Sequence, residues 1–247
     1  MRTLVIVFIV LIMGCLLPAM PAGAIDGAQL LVQVDRNMNP ESYSSYRKII
    51  NVEPDGSKKE WTLFTVKKGV DKVAALFLAP ASDKGRSTLR LGDNMWLLIP
   101  TVGKPIRIAN LQSMIGGIFN NADILALDYS AEYNVEKVDE SGAEYLLDLK
   151  AKTKTVAYDR VKMWVDKGRK LPTKIECHTE SGMLIKTLYY KDIKEFGGGI
   201  VRPATLATNS PLYKGYTSYM LFAQIKAKKY PDEVFTLDFM PKMETLR

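Results

Sequence analysis

The sequence predicts a mainly β protein with one domain, a meander of about ten or eleven antiparallel strands. Turn residues that tolerate positive φ, such as Gly56, Gly69 and Gly142, separate runs in which apolar and polar residues alternate. The links between runs are shorter than the crossovers that parallel strands need, so neighbouring strands should be antiparallel. No linker, repeat or break in composition divides the chain.

Eleven segments have the alternation or the apolar content of strands: residues 61–66, 73–79, 88–91, 95–99, 133–138, 144–150, 155–165, 171–179, 183–193, 200–208 and 216–226. Two segments are predicted to be helical. In residues 27–38 apolar side chains recur with helical spacing, with Asp26 as N-cap and Asn39-Pro40 as the stop. Asn110 could cap the second helix, residues 111–119.

The first 24 residues have the pattern of a cleaved signal peptide. A short basic start precedes an apolar run over residues 4–13, and Ala22-Gly23-Ala24 offers a cleavage site. The run is about half the length of a membrane-spanning helix. We expect a mature chain of residues 25–247 outside the cytoplasm. The alternative is a lipid anchor at Cys15, since Ile12-Met13-Gly14-Cys15 resembles a lipobox.

Composition narrows the choice of partners and chemistry. The net charge is +7, but the lysines alternate with apolar residues, which favours a solvated face over nucleic-acid binding. This spacing also disfavours strands that face lipid, although a mild attraction to anionic head groups fits. Cys177 shares a face with Ile175 and should be a buried hydrophobe, and the single His178 has no companions for a metal site.

No pattern of residues predicts catalysis. The chain has neither a Gly-x-Ser-x-Gly elbow nor a P-loop, and no carboxylate pair sits in a notably apolar context. We therefore expect a protein that is not an enzyme, with no catalytic residues, no metal and no cofactor.

Residues 89–123 differ from the rest of the chain. An almost wholly apolar strand over residues 95–99 ends at Pro100, and an extended piece ends near Ile108. The predicted second helix follows and contains Gly116-Gly117, which cost about 2 kcal/mol of helix propensity relative to alanine. A helix so weak and apolar suits a movable flap over an apolar cavity. The alternative is a plain helix that covers the core.

The same stretch resembles the signature of the bacterial outer-membrane lipoprotein-sorting protein family, which has the LolA fold. The matching residues are Gly92, Asp93, Trp96, Pro100, Lys104, Arg107 and Ile108. Residues 27–38 are similar to the family's first helix, and residues 166–175 to its Leu-Pro hairpin. The chain departs from the family in residues 113–119, which lack an aspartate and one aromatic residue that the family commonly has there.

The resemblance implies a strongly curved antiparallel sheet, an incomplete barrel whose mouth is covered by short helices. It implies a monomeric periplasmic carrier that holds lipid or lipoprotein acyl chains in an apolar cavity and delivers them toward the outer membrane. An inner-membrane transporter would load it and an outer-membrane acceptor would receive the cargo. We expect Lys104 and Arg107 to contact head groups, and the cavity and flap to be formed by Trp61, Phe64, Leu76, Leu78, Trp96, Leu98, Pro100, Met114, Ile115, Ile118 and Phe119.

A second function fits the same residues. A structural or interaction module of the cell envelope, associated with a membrane transporter, would have a filled core and no ligand. Cavity-lining and core residues are of the same types, so the sequence leaves open whether the inner face is packed or hollow, and which face of each strand points inward.

Overall fold

The computed structural model describes residues 25–247, in which a single antiparallel sheet of thirteen strands carries helices on both faces. The predicted signal peptide, residues 1–24, and Cys15 lie outside the described residues. The first helix, α1, spans Gly27–Met38, and two short helices, α2 and α3, span Asn121–Ile124 and Tyr129–Glu132. Two 3-10 helices, Asp232–Phe235 and Leu237–Leu246, end the chain.

The strands fall into two groups on either side of α2 and α3. Strands β1 to β6 are Ser42–Val52, Lys58–Lys68, Lys72–Ala79, Ser87–Leu91, Asn94–Leu98 and Pro105–Ile108. Strands β7 to β13 are Tyr133–Ser141, Glu144–Ala151, Arg160–Asp166, Pro172–His178, Leu184–Glu195, Val201–Asn209 and Thr217–Ala227. The order across the sheet is β6-β5-β4-β3-β2-β1-β13-β12-β11-β10-β9-β8-β7.

The sheet curls until its two ends approach each other without pairing. The Thr155 hydroxyl, after β8, donates to Asp93, between β4 and β5, at 2.6 Å, and the Asn110 amide donates to the carbonyl of Thr155 at 2.6 Å. Strands β6 and β7 remain the free edges. This confirms the predicted antiparallel, incomplete barrel.

The strand count is higher than predicted, because the residues of β1 and β6 do not show the alternation of apolar and polar residues by which the other strands were predicted. Strand β1 buries alternate residues, but three of these, Ser45, Arg47 and Asn51, are polar and hide the apolar period. Strand β6 has four residues, and the sequence indicated only an extended piece there.

The two faces of the sheet are covered differently. The inner face, which packs against α1, takes alternate residues such as Val73, Ala75 and Phe77 of β3. The outer face takes the residues between them, such as Leu76, and packs against the C-terminal segment, residues 230–247. Met240 and Met243 of that segment are buried there. Because both faces are covered, β3 shows no polar alternation.

Helix α1 has the predicted bounds because its signals are local. The Asp26 carboxylate accepts from the backbone N–H groups of Ala28 and Gln29 at 2.9 and 3.2 Å, and Leu30, Leu31 and Val34 are buried against the sheet. Gly27 permits close packing, since a Cβ there would lie 2.7 Å from side-chain atoms of Val135 and Val138. The buried position of Cys177 beside Ile175 is confirmed too.

Helix α1 also caps α3. The Asp35 carboxylate, only 4% exposed, accepts from the backbone N–H groups of Tyr129 and Ser130 at 2.9 and 2.8 Å. The side chain of Asp128, the residue at the N-cap of α3, makes no capping bond. Burial, assisted by the nearby charge of Asp128, raises the pKa of Asp35 from 3.8 to about 6. At neutral pH the Asp35 carboxyl is ionised, and the ionised form stabilises the fold less than the protonated form does.

Asp35 should make folding stability depend on pH. Its pKa is higher in the folded state than in the unfolded state, so its contribution to the free energy of unfolding is fully present below about pH 4. This contribution is lost as the pH rises through about 6, and the loss is at most about 3 kcal/mol. Asp35→Asn should lose one capping bond at every pH. Urea unfolding at pH 4 and pH 7 should show the variant gaining stability relative to wild type as the pH rises. Asp238→Asn, at an exposed position, is the matched control. An identical pH dependence in wild type and Asp35→Asn would contradict the prediction.

Candidate functional site

The connection between the two free edges of the sheet crosses its open side. This covering segment, residues 109–132, leaves edge strand β6, passes over the inner face and enters edge strand β7. It includes α2 and α3 and buries Ile115, Phe119 and Leu125 in the same core cluster as α1. It therefore occupies the place in which the sequence predicted a flap.

The predicted helix over residues 111–119 is wrong, because this part of the covering segment is irregular. Gly116 and Gly117 adopt φ values of +71° and +73°, which a right-handed helix excludes. The Asn121 side chain replaces helical bonds by accepting from the N–H of Met114 at 3.0 Å and donating to the carbonyl of Ala109 at 2.8 Å. Helix α2 starts only at Asn121, and the side chain of its N-cap, Asn120, forms a reciprocal capping box with Asp123.

Neutral hydrogen bonds hold the first half of the covering segment. The Asn51 amide of β1 donates to the carbonyl of Gly116 at 3.1 Å, and the N–H of Ile118 donates to the hydroxyl of Ser218 at 3.2 Å. The Ser218 hydroxyl in turn donates to Asn51 at 2.7 Å. Gly117 sits so close to Asn51 that an added Cβ would lie 2.3 Å from its side chain.

Buried cations on the sheet hold the second half. Lys186 of β11 donates to the Ile118 carbonyl and to the Asp123 carboxylate, both at 2.6 Å. Arg47 of β1 donates to the carbonyl of Ile124 at 2.9 Å. These contacts tie β1 and β11, which lie on both sides of the sheet centre, to the ends of α2.

Three further ion pairs hold the residues from 125 to 132. Arg90 of β4 donates to the carbonyl of Leu125 at 3.1 Å and pairs with Glu132. Lys67 of β2 pairs with Asp128, which also receives Arg36 of α1. Burial raises the pKa of Glu132, and Arg90 partly offsets this effect.

A cavity of about 100 Å³ lies between α1, the covering segment and the inner face. Its apolar wall includes Leu188, Leu206 and Met220 of β11, β12 and β13, and α1 contributes Val34 and Met38. Polar groups also line it, namely Asp35, Asn39, Arg47, Asp123, Glu132, Arg202 and the tyrosines Tyr43, Tyr129, Tyr133, Tyr158 and Tyr190. The arrangement can enclose an apolar group next to a few charged groups.

The tyrosines stay neutral because of their burial. Burial raises the pKa of Tyr129, Tyr133 and Tyr158 well above the usual value. The Tyr158 hydroxyl donates to Asp123 at 2.8 Å and accepts from the Asn120 amide at 2.9 Å. These side chains thus present rings and neutral hydroxyls, rather than phenolates, to the cavity.

None of the residues that the sequence predicted for the cavity and flap lines this cavity. Trp61 lies on the inner face, and its indole N–H donates to Asp83 at 2.7 Å. In the covering segment Ile115, Ile118 and Phe119 are buried, and Met114 packs against the inner core. Contact of these residues with a ligand stays a prediction.

The other predicted residues lie elsewhere. On the outer face, the C-terminal segment packs against Phe64, Leu76, Leu78, Trp96 and Leu98. Pro100 and Lys104 are exposed between β5 and β6, and the exposed Arg107 bonds to Asn94. Sequence reasoning missed the lining residues of β11 to β13 and the two arginines. One signal could have identified Arg47. It is an arginine at an inward position of the alternating strand β1.

No cluster of three or more His, Cys, Asp or Glu side chains suited to a metal ion occurs among residues 25–247. Within that same range, no helix has the length and hydropathy to cross a membrane.

Substitution of Gly117 should loosen the covering segment more than substitution of Gly116. Both glycines have positive φ, so alanine costs a similar backbone strain of about 1 kcal/mol at each. Only at Gly117 does the added Cβ collide with Asn51, whereas at Gly116 it meets open space. Hydrogen exchange should therefore show faster amide exchange at residues 114–120 in Gly117→Ala than in Gly116→Ala. Equal exchange in the two variants would show that the Asn51 contact does not hold the segment.

Solved structures with this architecture come from several bacteria. A LolA superfamily protein from Nitrosomonas europaea shares 26% identity and a TM-score of 0.79, over 87% of this chain and 100% of that one. A DUF1329 family protein from Desulfovibrio piger shares 21% identity and a TM-score of 0.74, over 87% and 97%. An outer membrane lipoprotein-sorting protein domain from Vibrio parahaemolyticus shares 18% and a TM-score of 0.70, over 87% and 99%.

Sequence comparison gives a further match. No curated protein matches the chain, but a family model described as an uncharacterized protein matches residues 69–242. This range contains the signature at Gly92 to Ile108 and the whole covering segment. Together these comparisons show that the chain belongs to the family that this model describes and that it has the fold of the LolA superfamily protein from Nitrosomonas europaea.

Proposed function

We propose that this protein is a periplasmic, non-catalytic carrier that encloses acyl chains of a lipid or lipoprotein and delivers them toward the outer membrane. The observation that carries the proposal is the cavity under the covering segment. Its cover is fastened by discrete polar contacts from the sheet rather than by continuous secondary structure. Similarity to the lipoprotein-sorting domain from Vibrio parahaemolyticus supports the same reading.

The size of the cavity supports a cover that moves. A cavity of about 150 Å³ binds one benzene molecule, so this cavity, at about 100 Å³, encloses only a smaller apolar group in its closed form. A whole acyl chain is several times longer and enters only when the covering segment moves away. Burial of a sixteen-carbon chain contributes on the order of 10 kcal/mol before ordering costs, comparable to the net contribution of several hydrogen bonds at about 1 kcal/mol each. The part of the cover over the cavity is also held by buried ion pairs, so burial of the cargo offsets only part of the cost of moving the cover.

The same energetics call for partners at loading and at release. A ligand held by its apolar chain does not leave readily into water, so a membrane or an acceptor protein must receive it. We assign loading to an inner-membrane transporter and unloading to an outer-membrane acceptor. The full chain has a net charge of +7, which falls to +6 when Arg2 leaves with the signal peptide. This charge and the exposed Lys104 and Arg107 would favour approach to anionic head groups.

Native mass spectrometry of the protein purified from envelope extracts without detergent tests the carrier directly. We expect extra mass that is released as a lipid or an acylated peptide. A mass without ligand that also gains nothing from added lipid would overturn the carrier and favour the structural or interaction module. The same spectrum would show whether the mature chain begins at Ile25 or at a lipidated Cys15.

A bulky residue at the cavity rim should reduce the retained lipid. Ala126 lines the cavity and is exposed, whereas Ala109 lies in the same covering segment, is exposed and does not line the cavity. Ala126→Trp should lower lipid occupancy in the native mass spectrum several-fold, because the indole takes the place of the first methylenes. Ala109→Trp should retain the wild-type occupancy. Equal occupancy in both variants would place the lipid outside this cavity.

A further inference from the structure

Two buried arginines line the cavity from neighbouring parts of the sheet. Arg47 of β1 is 5% exposed and Arg202 of β12 is 2% exposed. Both guanidinium groups lie over one aromatic ring, that of Phe222 in β13, which separates β1 from β12 in the sheet. The distances from Cζ to the ring centroid are 5.4 Å for Arg47 and 4.2 Å for Arg202.

The hydrogen-bond acceptors of both arginines are neutral. Arg47 donates to the carbonyl of Ile124 at 2.9 Å and to the Ser45 hydroxyl at 3.3 Å. Arg202 donates to the carbonyl of Met38 at 2.7 Å and to the Asn39 side-chain oxygen at 2.5 Å, and weakly to the carbonyl of Pro203. Within residues 25–247, the ion pairs of the structure include neither arginine.

The other buried cations of the inner face have carboxylate partners. Lys67 pairs with Asp128, Arg90 with Glu132 and Lys186 with Asp123. Burial of a charge costs several kcal/mol unless a counter-charge or strong hydrogen bonds compensate. Arg47 and Arg202 are therefore an exception to the rule that the rest of this protein follows.

The carboxylates that line the cavity do not serve the two arginines. Asp35 accepts from the backbone of α3, Asp123 binds Lys186 and Tyr158, and Glu132 binds Arg90. The side of the cavity beside Phe222 thus carries two positive charges without a counter-ion.

The electrostatics agree with this geometry. Burial lowers the pKa of Arg47, and burial together with the charge of Arg47 lowers the pKa of Arg202 to about 10. Each guanidinium is thus destabilised by its surroundings, and the two repel each other. An anion placed next to them would offset both effects.

We propose that Arg47 and Arg202 bind the anionic head group of a single-chain amphiphile, a carboxylate or a phosphate monoester, inside the cavity. The planar guanidinium fork matches both groups. The acyl chain would extend along the apolar wall of Leu188, Leu206 and Met220. The closed cavity of about 100 Å³ has room for one such head group, and the acyl chain enters when the covering segment moves away. This inference rests on the proposed carrier function and narrows its cargo to acidic lipids.

Calorimetric titration of lipid-free protein with laurate and with methyl laurate isolates the head group, because the two ligands share one acyl chain. We expect the wild-type protein to bind laurate at least about tenfold more tightly than methyl laurate, because only laurate can accept charge-assisted hydrogen bonds. Arg202→Gln should bind both ligands with nearly equal affinity, whereas Arg202→Lys should keep part of the preference. Arg169→Gln, at an exposed arginine between β9 and β10 that does not line the cavity, should keep all of it. Thermal unfolding of each variant checks that the fold is intact.

Two further ligands identify the source of the anion. Lauroyl lysophosphatidate that binds more tightly than laurate would assign the site to a phosphate head group, and the reverse order would assign it to a carboxylate. Both results support the proposal. Inorganic phosphate that binds as tightly as the lipids would show a site for free anions and overturn it.

The possible failures are distinguishable. Equal affinity of wild type for laurate and methyl laurate, or a full preference that survives in Arg202→Gln, would overturn the head-group site and leave the carrier intact. Binding of neither ligand would count against the carrier function itself, and this inference would fall with it.

Discussion

The arrangement of the inner face depends on the need to compensate buried charge. Three of its cations, Lys67, Arg90 and Lys186, find their carboxylates on the covering segment rather than on the sheet. Removing one partner of such a pair leaves a buried charge uncompensated and costs several kcal/mol. The carboxylates of the covering segment thus compensate the buried cations of the sheet. These ion pairs hold the segment in place although it contains only two short helices.

The same requirement gives the cavity its character. Three cations are neutralised by the cover. The remaining two, Arg47 and Arg202, face a cavity whose lining carboxylates bind other partners. The aromatic ring of Phe222 stabilises them only in part, since a cation–π contact contributes about 2 kcal/mol when desolvated. A site with surplus positive charge, neutral tyrosines and an apolar wall selects a ligand that has a negative end and an apolar end. Fold and chemistry therefore point to the same type of cargo.

The sequence predicted what local signals determine. Helix α1 was predicted with its bounds because Asp26, the apolar period and Asn39-Pro40 all act within one segment. The inward face of β2 to β5 was not predictable, because the C-terminal segment covers the outer face and makes both faces apolar. Phe64, Leu76 and Leu98 look like cavity residues for that reason, yet they pack against residues 230–247. In that segment Met240, Met243 and Leu246 recur every three residues, which is the period of a 3-10 helix and differs from the α-helical period of α1.

The covering segment shows why its position was predictable and its form was not. Its apolar composition predicted residues 111–119 as a cover, and Ile115 and Phe119 are buried in the inner core. The positive φ values of Gly116 and Gly117 depend on contacts with Asn51 and Ser218, which are distant in sequence. These contacts are neutral hydrogen bonds, with a net value of about 0.5–1.5 kcal/mol each, whereas the half of the segment after Ile118 is held by buried ion pairs. The first half therefore separates from the sheet at the lower cost.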